Sequence, residues 1–87
     1  MTDIRKTTSL PLAESVTIEG REITVLNFRR MKGKDIKAVE KLSNIDATAH
    51  LICELSGNPP ELFDEMDAAD IDAASKIVEG FMKRKAR

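Results

Sequence analysis

The sequence predicts a small α+β domain, an N-terminal β-hairpin followed by three to four α-helices. Three observations carry this expectation. Val16–Met31 contains two β-rich runs around Glu19-Gly20-Arg21. From Gly33 onward the apolar spacing becomes helical. The chain has 87 residues, room for one small domain with a thin core, for which stabilisation by partners is the expectation.

Residues 1–9 are polar and are expected to form a flexible N-terminal segment, with a single domain over 10–87. Leu10-Pro11-Leu12 reads as a short extended lead-in, because Pro11 biases its predecessor away from helix. The hairpin is placed at about residues 15–30. Val16 and Ile18 alternate with polar neighbours, and Gly20 supplies the permissive backbone of a tight turn. On the return strand Ile23 and Val25 share one face, whereas Leu26 and Phe28 take the other parity. That phase change predicts a bulge or a strand buried on both faces.

Four helical segments follow, at about 33–43, 46–56, 60–65 and 68–84. Ile36, Val39 and Leu42 make an apolar stripe on the first, and Asp35 suits its N-terminal turn. Asp46 is the expected N-cap of the second, whose buried face is Ala49, Leu51, Ile52 and Leu55. Gly57 is placed to end it, and Asn58-Pro59-Pro60 stops continuation. Pro60 opens a short third helix. Asp67 and Asp70 have capping-box spacing for the last, with Ile71, Ala74, Ile77, Val78 and Phe81 on its apolar face.

The composition excludes several functions. With 14 basic and 15 acidic residues the net charge is −1, so no global field favours nucleic acid or membrane. Phe28, Phe63 and Phe81 are the only aromatics, too few for a base-stacking platform. The single Cys53 excludes an internal disulfide and fits a reducing compartment. Residues 1–13 carry Asp3, Arg5 and Lys6 without an apolar run, so no secretory leader is expected. No run reaches the length of a membrane-spanning helix.

Candidate chemistry is sparse. The acidic run Glu61, Asp64, Glu65, Asp67, Asp70 and Asp72 lacks the central glycine of a calcium loop. It is read as helix-start charge and solvated surface. Arg29, Arg30, Lys32, Lys34 and Lys37 form a basic cluster, as do Lys83, Arg84, Lys85 and Arg87. Neither comes with a nucleic-acid motif, and the second suits a helix C-terminus. His50 and Cys53 can share a helix side, but a nucleophilic pair needs an orienting partner and a zinc site needs further ligands. No catalytic, metal or cofactor site is expected. The apolar helix stripes leave a groove or edge available for self-association or for a partner helix.

Several segments in order resemble the tail assembly chaperones of Mu-like and related long-tailed phages. They begin with Leu10-Pro11-Leu12, Ile18–Ile23 and Leu26-Asn27-Phe28-Arg29-Arg30, followed by Lys34-Asp35-Ile36, Ala38–Lys41 and Leu51–Gly57. Pro59–Leu62, Met66–Asp70 and Ile77–Phe81 complete the match, which covers about four-fifths of the chain. Met31 stands where that family often has Pro, and Phe28 where it often has Leu. The resemblance implies a non-catalytic protein that binds the tape measure protein, keeps it soluble while the tail tube polymerises, and is absent from the finished virion. It implies action in the host cytoplasm, self-association, and a longer frameshifted form that contacts the tail tube protein. Ile71, Ile77, Val78 and Phe81 are the expected partner-binding residues. The rival readings are a structural or adaptor component of the tail, and a small regulator binding nucleic acid through Arg29–Lys37.

Overall fold

The computed structural model describes residues 7–82. The expected flexible residues 1–6 and the end of the last helix at 83–84 lie outside them. Two strands, β1 (Thr7–Ile18) and β2 (Arg21–Arg29), form an antiparallel hairpin. Four helices follow: α1 (Gly33–Val39), α2 (Asn44–Ser56), α3 (Glu61–Glu65) and α4 (Ala68–Phe81). The α+β expectation therefore holds.

The hairpin is longer than its alternating sequence suggests. Thr7–Ser9 belong to β1 rather than to a flexible tail, and the Ser9 hydroxyl donates to Asn27 Oδ1 at 2.6 Å. Leu10 pairs with Leu26 and Pro11 with Val25, so the apolar lead-in is itself strand. The turn is Glu19-Gly20, with φ of 52° and 80°. Two positive φ values suit the right-handed twist of a two-residue hairpin loop.

The parity change along β2 has a partner on β1. Pro11 pairs with Val25 and Val16 with Ile23. One β2 residue thus opposes four on β1, an extended bulge of residues 12–15. The core face switches at this level. Val16 and Ile18 are buried near the turn, and Leu26 and Phe28 further along.

Two helix boundaries differ from expectation, for one reason. Ser43, not Asp46, caps α2: its hydroxyl accepts from the Asp46 N–H at 3.2 Å, and its carbonyl from the Ala47 N–H at 2.8 Å. Asp46 sits in the first turn. Because α2 starts at Asn44, α1 must end at Val39 and the chain turns through residues 40–42. Ile36 and Leu42 are then 45% and 42% exposed, so of the expected α1 stripe only Val39 packs against the core. At its other end α2 stops at Gly57, whose φ of 71° is readily accessible to glycine.

Phe28, Leu26, Ile52 and Leu62 are the largest fully buried side chains. They belong to β2, α2 and α3, with Val16, Ile18, Leu51, Leu55, Ala74 and Val78 around them. The α2 helix lies on β2, α3 and α4 lie along β1, and α1 and α4 flank α2. No helix among the described residues is long and apolar enough to cross a membrane.

Candidate partner-binding groove

Between α1, α2 and α4 the surface opens into a groove of about 470 Å³. Leu51 and Val78 form its buried floor. Met31, Ile36, Val39 and Met82 form apolar walls, and Ile36 and Met82 are 45% and 59% exposed. Its polar lining is Asn44, Thr48, Ser75 and the single charge of Glu79. A groove so lined offers apolar area and adaptable methionines, with few groups that could do acid–base chemistry.

Two buried carboxylates fix the walls. Asp35 accepts a bidentate pair from Arg29 Nη1 and Nη2, at 2.8 and 2.9 Å, and a third bond from the Lys32 N–H at 2.9 Å. The Arg29 guanidinium, then the Lys32 N–H, holds the Asp35 carboxyl at about 2 against the opposing effect of burial. Arg29 also lies 3.6 Å from Glu54 on α2. This cluster ties the start of α1 to the end of β2. Asp70 acts at the other wall. Its two oxygens accept from the N–H groups of Ala13 and Glu14, at 3.0 and 3.1 Å, joining the start of α4 to the β1 bulge.

The expected capping box at α4 is therefore not made. Asp67 caps through the Ala69 N–H at 3.0 Å, while Asp70 turns inward. The acidic run divides into separate tasks: Asp67 caps, Asp70 clamps, and Asp72 pairs with Lys76 at 3.2 Å. The basic cluster divides likewise. Arg29 is paired, and the Arg30 guanidinium lies 5.4 Å from the Phe81 ring centre. The C-terminal basic residues lie outside the described residues.

Of the four residues expected to bind a partner, Val78 lines the groove. Ile71, Ile77 and Phe81 are half-buried and pack against the core, with Arg30 over Phe81. Sequence reasoning did not single out Met31, Leu51 or Met82 together, since they come from three distant segments. Arg29 and Asp35 were visible as a strand end and a helix start. Nothing local marks Asp70 as a partner of residues 13 and 14.

His50 and Cys53 do share a smaller hollow, with Asp46, Glu54 and Pro60 beside them. The thiol donates to the Pro60 carbonyl at 3.7 Å, and burial pushes its pKa up. That is the opposite of what a thiolate nucleophile requires. No group of three or more His, Cys, Asp or Glu is placed to hold a metal among the described residues.

A hairpin that carries helices around an open apolar groove, with both groove walls pinned to its strands, defines the class: a small α+β domain of one hairpin and four helices. A family model described as phage tail assembly chaperone proteins, E, or 41 or 14, matches residues 9–83. The chain belongs to this family of phage tail assembly chaperones. Membership implies partners among tail proteins and suggests a non-enzymatic role. No curated protein and no solved structure matches the chain significantly.

Proposed function

We propose that this protein binds the tape measure protein and keeps it soluble while the tail tube polymerises. The groove between α1, α2 and α4 carries this reading. Its apolar floor and walls suit an amphipathic helix laying side chains in at i, i+3 or i+4, and i+7. A tape measure is a long helical protein whose apolar stripe needs cover until the tube encloses it. A small domain used in many copies meets that need reversibly. In this proposal the protein acts in the host cytoplasm, associates with itself and leaves before the virion matures. A longer, frameshifted form reaches the tail tube protein. Val78 contacts the partner from the groove floor, while Ile71, Ile77 and Phe81 hold the α4 wall in place.

Co-expression with the long helical protein encoded beside it tests the reading. The partner is expected to be soluble only with this protein, and the two to co-purify. Ile36→Glu and Met82→Glu alter exposed side chains, so the fold stays intact. Binding is expected to weaken about tenfold or more. A partner that is soluble alone and does not co-purify overturns the proposal. So does undiminished binding by both variants. Recovery of this protein from purified virions in fixed stoichiometry establishes the adaptor reading instead.

A further inference from the structure

We propose that the outer edge of β2 is the surface through which two copies of this chain associate, joining their hairpins into one four-stranded antiparallel sheet. The inference rests on the self-association proposed above and is independent of the tape measure.

The two edges of the hairpin are unlike. On β1 the run is interrupted by Pro11 and by the bulge, and the Ala13 and Glu14 N–H groups are taken by Asp70. Proline, a bulge and a covering helix are the usual means of blunting an edge. The β2 edge has none of these. Arg21–Arg29 is nine residues with no Pro, Gly or Lys, and Ile23-Thr24-Val25 is a β-branched run. Ile18 and Arg21 close a two-residue turn, so they form a hydrogen-bonded pair and Glu22 and Thr24 direct their N–H and C=O groups outward. Among the described residues, no backbone or side-chain partner from outside β1 bonds the backbone of Arg21–Phe28.

The edge is also complementary to itself. A twofold axis centred on Thr24 sets Ile23 of each copy opposite Val25 of the other, and Arg21 opposite Asn27. No like charges then face each other. Val25, 41% exposed in one copy, gains an apolar cross-strand neighbour.

Sedimentation equilibrium and amide exchange on the intact chain test this. The wild type is expected to dimerise, with the Glu22 and Thr24 amides protected in the dimer and exchanging faster on dilution. The T24K/V25K variant is expected to keep its circular dichroism spectrum and to dissociate at least about tenfold more readily. Thr17→Lys, on an exposed β1 position, is expected to leave dimerisation unchanged. A wild type that stays monomeric at millimolar concentration removes the self-association itself. A dimer whose Glu22 and Thr24 amides exchange as fast as in the monomer overturns only the β2 interface. That exchange readout decides the matter even if T24K/V25K fails to fold.

Discussion

Asp35 and Asp70 are each the third residue of a helix, α1 and α4, and both are buried, at 3% and 5% exposure. Each ties its helix to the hairpin, yet by different chemistry. Asp35 bonds a guanidinium six residues away, with a backbone N–H in support. Asp70 bonds two backbone N–H groups 57 and 56 residues away and, among the described residues, engages no cation. The first joint is local and charged, and one of its partners stays half in water. The second is long-range and satisfies amides that the bulge would otherwise leave without ladder partners. A buried carboxylate that satisfies backbone donors is harder to replace than one that pairs with a side chain able to swing into solvent.

The largest effect should therefore come from Asp70→Ala. It strands two backbone donors and frees α4 from β1. A loss of about 3–4 kcal/mol is expected in urea unfolding, a large share of what a small domain has. Asp70→Asn keeps one acceptor oxygen and should lose less. Equal, small losses for both variants would show that water replaces the clamp at no cost, and the contrast with Asp35 would collapse.

Asp35→Asn comes next, at about 2–3 kcal/mol, below the range for fully buried pairs because the Arg29 side chain is 36% exposed. This joint should show an acid signature. The Asp35 carboxyl titrates at about 2 in the folded protein, below its ordinary 3.8. Its contribution is complete above about pH 4 and is lost as pH falls toward about 2. Wild type should thus lose stability across that window, and Asp35→Asn should lack that part of the slope. Parallel pH curves for the two proteins would refute the assignment.

The contrast also explains what the sequence could and could not reveal. Arg29 and Asp35 flank one short connection, so a strand end and a helix start were enough to mark them. The hairpin turn, Gly57 and the buried face of α2 were legible because periodicity and backbone permissiveness are local properties. Asp70 was misread as a capping residue because N3 spacing is also local, while its real partners depend on the β1 bulge. That bulge was foreshadowed only by its opposite strand, where Val25 and Leu26 change parity. The position of the groove escaped for a related reason. Ile36 and Leu42 look like core in an eleven-residue helix, and Ser43 capping α2 shortens that helix and leaves both exposed.

The smallest expected effect tests whether the two joints share one scaffold. Glu19 holds a positive φ of 52°, which costs a β-carbon-bearing residue about 1 kcal/mol. Asn tolerates that conformation better, and Asn-Gly is the favoured pair for this turn. Glu19→Asn should therefore stabilise the hairpin by about 0.5–1 kcal/mol, read from the urea midpoint at unchanged slope. The turn lies at the far end of β2 from the Asp35 joint, so the gain should add fully in the Asp35→Asn background. The Asp70 clamp is nearer, four residues from Ile18 across the bulge. If the bulge becomes mobile when the clamp is cut, the turn end of the hairpin loses its hold on α4, and the gain should shrink in Asp70→Ala. A full gain there would mean that the turn end stays ordered without the clamp, and that Asp70 serves α4 rather than the hairpin.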